Sequence, residues 1–116
     1  FTTALKPGEM IQAIGFPVPE KAGYAKFEQR ASRYALVGVF VAKTGGEVRV
    51  AVTGAGERGV FRVPAFEAAL KANFSAAALK GLSVPAAGLM SDLHGSADYR
   101  ANLVSVLAAR AVEAAG

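Results

Sequence analysis

The stretch from Tyr34 to Thr53 most narrows what this chain can fold into. Tyr34-Ala-Leu-Val-Gly-Val-Phe-Val-Ala42 is rich in β-branched residues and unbroken by charge. Such a run suits a central strand covered on both faces, and periodicity alone also admits a buried helix. Thr44-Gly45-Gly46-Glu47 follows with tight-turn chemistry, because glycine accepts the positive φ that hairpin turns require. Val48, Val50 and Val52 then alternate with Arg49, Ala51 and Thr53, as a half-buried strand does. A β-hairpin is predicted here, and 116 residues suffice for a single domain built around it.

The flanks extend the pattern. Pro7-Gly8-Glu9 reads as a turn, and Ile14, Phe16 and Val18 alternate with Gly15 and Pro17, which predicts a strand. Pro17 and Pro19 make it an edge strand or end it. Glu20 to Gly23 reads as a polar loop. From Tyr24 a second period-two segment sets Tyr24, Lys26 and Glu28 on one side and Ala25 and Phe27 on the other. Downstream of a glycine-rich loop, Val60 to Val63 can form a short edge strand, and Pro64 can open a helix with its body at Phe66 to Lys71. Ser75 is placed to cap a short helix through Leu79, and Ser96 to cap the last and longest helix, with Asp98 favoured by the dipole in its first turn. Tyr99, Leu103, Val106, Leu107 and Ala111 are expected on its buried stripe, with Arg100 and Glu113 elsewhere. Ser83 to Gly95 reads as loop. Strands first and helices afterwards predict an α+β fold: a small antiparallel sheet of three to four strands followed by a three-helix bundle packed on one side.

Composition removes several functions. With no cysteine and one histidine, the chain offers no disulfide framework, zinc finger, iron-sulfur ligation, thiolate nucleophile or multi-histidine metal site, and no metal site is assigned. Its longest apolar run is far shorter than the roughly 20 residues of a membrane-spanning helix, and a cytoplasmic location without a membrane span is expected. Phe1 in first position and a mean hydropathy of +0.33 are read as marks of a piece cut from a longer chain that keeps apolar surface for a partner domain.

Four residue groups invite chemistry. Gly54-Ala55-Gly56-Glu57-Arg58-Gly59 fits G-x-G-x-x-G after a strand, but that motif needs a helix starting within it, and Val60 to Pro64 reads as extended. A loop between strands is the better account. His94 lies among Asp92, Ser96 and Asp98 without a nucleophile elbow around either flanking serine. A surface loop leading into a capped helix explains it. The net charge of +4 is spread from Lys6 to Arg110, with Lys26, Arg30 and Arg33 the local cluster, so a solvated basic face is favoured over nucleic-acid binding. Tyr24 and Lys26 share one strand face, where an aromatic can cover a planar ligand and an ammonium can neutralise negative charge such as builds up on a reduced flavin. Amphipathic strands also carry such pairs for packing alone.

Taken together, Pro7-Gly8-Glu9-Met10, the strand ending Phe16-Pro17, Tyr24-Ala25-Lys26-Phe27-Glu28-Gln29-Arg30, the apolar strand from Ala35, and Asp92-Leu-His-Gly-Ser96-Ala-Asp-Tyr99-Arg100 resemble the C-terminal domain of the flavoprotein (medium) subunit of carbon monoxide dehydrogenases, within the molybdenum hydroxylase family. The resemblance covers essentially the whole chain. It implies an oxidoreductase in which a molybdenum large subunit oxidises substrate, 2Fe-2S clusters in a small subunit carry electrons, and FAD of the medium subunit passes them to an external acceptor. It further implies that FAD is held mainly by N-terminal domains of the same subunit through AGG and TIGG loops, which do not occur here. This domain is then expected to help cover the flavin and dock subunits, with no catalytic residue of its own. Lys26 matches a flavin-proximal lysine, Tyr24 a neighbouring contact and Arg30 a common basic position, whereas relatives often carry an acidic residue where this chain has Arg33. Tyr99 and Arg100 match the closing motif and are expected to orient the last helix. Two other readings stand beside this one: a free-standing basic α+β module for a polyanion, which would bind with strong salt dependence, and an oligomerisation domain, which would form a stable multimer.

Overall fold

The computed structural model describes residues 3–116, so the reading of Phe1 and Thr2 lies outside the described residues. At its centre is the predicted hairpin. Strand β2 (Ala35–Thr44) pairs antiparallel with β3 (Glu47–Thr53) across Gly45 and Gly46, which sit at φ +55° and +83° as a two-residue hairpin turn demands. Strand β1 (Lys21–Glu28) pairs with the free edge of β2, and the two-residue β4 (Phe61–Arg62) with β3, giving a four-stranded antiparallel meander in the order β1-β2-β3-β4.

One face of the sheet is the core face. Val37, Val39 and Val41 of β2 and Val48, Val50 and Val52 of β3 are buried there beneath the helices. Helix α1 (Pro64–Ala72) opens on the predicted proline and packs against β3 through Phe66 and Leu70, both fully buried. The 18-residue α2 (Ala97–Ala114) lies across β1 and β2. It starts where the sequence says: Ser96 Oγ accepts a hydrogen bond from the Tyr99 N–H at 3.2 Å. Helix and strand meet at backbone contact over Gly23, where a Cβ would lie 1.9 Å from the Ala111 carbonyl oxygen.

The α+β class and sheet are as expected, and six particulars differ. Instead of a three-helix bundle, the described residues form two α-helices and a single 3-10 turn at Ala76–Leu79. Ser75 precedes that turn in extended conformation without capping it, its Oγ buried and unpartnered. Residues Ile14 to Val18 form no strand, and Lys21 to Gly23 belong to β1 rather than to a loop. Strand β2 is central but covered on one face: its outward Phe40 stays exposed, so the unbroken apolar run reflects an apolar outer face rather than a second layer. The buried stripe of α2 is turned from the expected one, with Tyr99 and Val106 partly exposed and Arg100 only 1% exposed.

Arg100 has a structural reason to be inside. Between β1 and β2 the register slips, so that Phe27 faces Val37 and Glu28 faces Ala35, leaving Leu36 as the extra residue of a bulge. The bulge lets Leu36 and Val37 both be buried, and it takes the Leu36 carbonyl out of the ladder. Arg100 NH1 donates to that carbonyl at 2.9 Å and to the Gly54 carbonyl at 3.2 Å. Its NH2 spans both Asp92 carboxylate oxygens at 2.9 and 3.0 Å. At the other side of the sheet, Glu67 of α1 plays a related part. It accepts from Arg62 and from the Val50 N–H beyond the end of β4, and the Arg62 hydrogen bond, then the Val50 N–H, hold its carboxyl below the usual carboxylate range against the opposing effect of burial.

Candidate functional site

Alternation along β1 puts Tyr24 and Lys26 on the outer face of the sheet, away from the helices, opposite Phe40 and Gly38 of β2. Gly38 decides how Tyr24 lies. A Cβ there would sit 2.5 Å from the Tyr24 hydroxyl and 2.7 Å from Thr53 Oγ1, so the ring leans diagonally over a bare stretch of β2 toward β3. Lys26 reaches the β1–β2 connection, where its Nζ donates to the Arg33 carbonyl at 2.8 Å and lies 3.4 Å from a Glu28 carboxylate oxygen. Its side chain stays 38% exposed, so the ammonium keeps an open side.

That connection is a shaped loop. Gln29 N–H donates to the Tyr34 carbonyl and Arg33 N–H to the Gln29 carbonyl, and Arg33 adopts φ +60°, unusual for a residue with a side chain. The result is a shallow cleft of about 420 Å³ walled by Tyr24, Lys26, Arg33, Tyr34 and Thr53. Two cations and two aromatics converge on it, a combination able to face a planar, electron-rich or anionic group.

The structure therefore joins Tyr24 with Lys26 and adds Arg33 and Tyr34, which sequence reasoning left out of the site. Arg30 does not line that cleft; it borders an adjoining hollow with Phe27, Glu28 and His94, and Lys26 lines both. The proximity of Arg33 to Lys26 had no periodic signal, because it depends on a left-handed residue in a loop. The rejected chemistry stays rejected on geometry. The Asp92 carboxylate is occupied by the His94 backbone N–H and by Arg100, which in that order lower its pKa against burial, and Ser96 Oγ is occupied by Tyr99 N–H, so no triad forms. The Gly54–Gly59 segment connects β3 to β4 without leading into a helix, and the Cβ position of Gly54 is filled by the carbonyls of Ala35 and Leu36. It cannot cradle a pyrophosphate in the manner its spacing suggests. Among the described residues no cluster of three or more His, Asp or Glu could hold a metal ion, and no helix is long and apolar enough to cross a membrane.

The whole chain aligns, at 34% identity over 131 aligned positions, with the nicotine 6-hydroxylase medium subunit of Paenarthrobacter nicotinovorans. The resemblance to the medium subunits of molybdenum hydroxylases holds. The chain spans 44% of that relative's length, so it aligns with part of that subunit. No family model and no solved structure matches the chain. The expected flavin-side pair, Tyr24 and Lys26, occupies the sheet face that the chain's own helices leave uncovered.

Proposed function

We propose that this chain, as a single domain over residues 1–116, is the C-terminal domain of the FAD-carrying medium subunit of a cytoplasmic molybdenum hydroxylase of the carbon monoxide dehydrogenase type. In this reading it covers part of the flavin and helps dock subunits while electrons pass from molybdenum in the large subunit through 2Fe-2S clusters in the small subunit to FAD and an external acceptor. The observation that carries the reading is the alignment of this whole chain with 44% of a medium subunit, combined with the cationic, aromatic cleft on the open sheet face. The residues fit a covering role. Lys26 and Tyr24 can face one edge of a planar cofactor, while Arg30, on the adjoining hollow that Lys26 also lines, adds to the surrounding positive field. FAD, when bound, supplies the ring that stores and hands on electrons, and the phosphate-binding loops belong to N-terminal domains outside this chain.

What this chain supplies is electrostatic. A held ammonium beside a ring that gains negative charge on reduction favours the reduced form, and the carbonyl of Arg33 with the carboxylate of Glu28 keeps that ammonium in place. The substrate is then chosen in the large subunit. The relative's name adds nicotine, an N-heterocycle, to carbon monoxide as a substrate of such assemblies.

The test is Lys26→Ala in the full medium subunit. Loss of the cation is expected to lower the flavin midpoint potential by roughly 30 mV, about a tenfold shift in a two-electron equilibrium, and to slow acceptor reduction while the melting temperature changes little. An unchanged potential and turnover would remove Lys26 from the flavin site.

A further inference from the structure

The arm before β1 is written as a strand and lacks a partner. Ile14, Phe16 and Val18 alternate as a β-strand does, yet among the described residues no backbone group from Met10 to Pro19 takes part in a hydrogen bond. Met10, Ile14, Phe16 and Val18 expose 79%, 79%, 80% and 88% of their surface. A contiguous apolar segment left this bare marks a contact surface.

The prolines say how it would pair. In an extended chain, successive N–H groups point to opposite edges of the strand. Pro17 and Pro19 lack donors on the edge that also carries the N–H groups of Ile11, Ala13 and Gly15. The other edge keeps every donor, at Met10, Gln12, Ile14, Phe16 and Val18. A strand so built pairs on one edge and turns the proline edge outward, which is the condition for the last strand of a sheet. Its even-numbered side chains then lie on one face, and four of those five positions are large and apolar.

The partner follows from where the arm is attached and from the length of the relative. The arm leaves the sheet at Glu20, whose N–H donates to the Lys43 carbonyl at 2.8 Å, and its last residues Phe16, Pro17 and Pro19 border a hollow against Phe40 and Ala42 on the outer face. Arm and sheet thus share one largely apolar hollow, edged by Arg49 and Arg62. More than half of the aligned relative lies outside the matched span. We propose that Met10 to Val18 is an edge strand completed by a β-sheet in the remainder of the same subunit, paired through the N–H groups of its even-numbered residues. This rests on the medium-subunit relationship and is independent of the role of Lys26.

The experiment compares amide hydrogen exchange in the full-length medium subunit and in the 116-residue chain, together with two proline substitutions in the full-length protein. The amides of Gln12, Ile14 and Phe16 should exchange on the order of 100-fold more slowly in the full-length subunit than in the chain alone. Gln12→Pro should lower the melting temperature and Ala13→Pro should leave it unchanged. Fast exchange of these amides in the full-length subunit overturns the proposal, whether or not the Gln12→Pro variant folds. Equal effects of the two prolines also overturn it. So does protection in the isolated chain accompanied by a dimeric mass, which assigns the strand to a second copy.

Discussion

Arg100→Met is expected to destabilise the chain by about 3–5 kcal/mol, a large share of the stability of a domain this size. Methionine approximates the length and apolar stem of arginine, so the loss reports the guanidinium rather than a cavity. With the guanidinium gone, the Leu36 and Gly54 carbonyls lose donors at 2.9 and 3.2 Å in a site shielded from water. The β1–β2 bulge then has no group to take its freed carbonyl, and α2 loses its tie to the starts and ends of two strands. The ion pair itself contributes less, because the Asp92 side chain is 43% exposed and solvent screens it. Asp92→Asn should therefore cost clearly less than Arg100→Met, and Arg100→Lys should recover little, since one ammonium cannot fork across two carbonyls and a carboxylate. Urea unfolding followed by circular dichroism measures all three. A loss below about 1 kcal/mol for Arg100→Met would show that the buried fork is not what fixes α2.

Gly23→Val should come next in size, at about 3 kcal/mol or more. The clash is with backbone, not with a side chain that can swing aside. A Cβ at Gly23 lies 1.9 Å from the Ala111 carbonyl oxygen and 2.8 Å from the Ala115 nitrogen, so helix and strand must separate. Separation exposes Ala108, Ala111 and Val112, which are buried at that seam. Gly15→Ala is the matched control, because nothing lies within 4 Å of its Cβ position. The two melting curves should differ by well over 10 °C, at roughly 4–8 °C per kcal/mol for a domain near this size. Similar curves would mean that α2 does not ride directly on β1.

Much of the fold was legible because local chemistry and long-range packing agree. Gly45-Gly46 needs positive φ and obtains it, Pro64 opens α1, and Ser96 caps α2. Where the two disagree the sequence misleads. Ile14 to Val18 carries a strand's pattern, but a strand exists only with a neighbour, and none is provided among the described residues. Phe40 and Ala42 read as core because hydrophobicity does not distinguish a face this chain covers from one it leaves open. Arg100 is expected off the buried stripe of α2, although the resemblance gives it a part in orienting that helix. Its separation from Leu103, Val104 and Leu107 is that of one helical face, and what lets a charge lie there is the set of carbonyls and the Asp92 carboxylate that the fold brings to it. At the candidate site, Tyr24 and Lys26 were visible through period-two alternation. Arg33 was not, since it arrives through the φ of one loop residue and the carbonyl it offers to Lys26.

If these residues face a cofactor that other residues hold, FAD titrated into the 116-residue chain and into the proposed full-length medium subunit, each followed by flavin fluorescence, should separate the two. Saturation at or below about 1 μM is expected for the full-length subunit, a binding free energy near −8 kcal/mol, with a linear, unsaturated response for the chain alone. Saturable micromolar binding by the chain alone would mean that it holds the flavin itself.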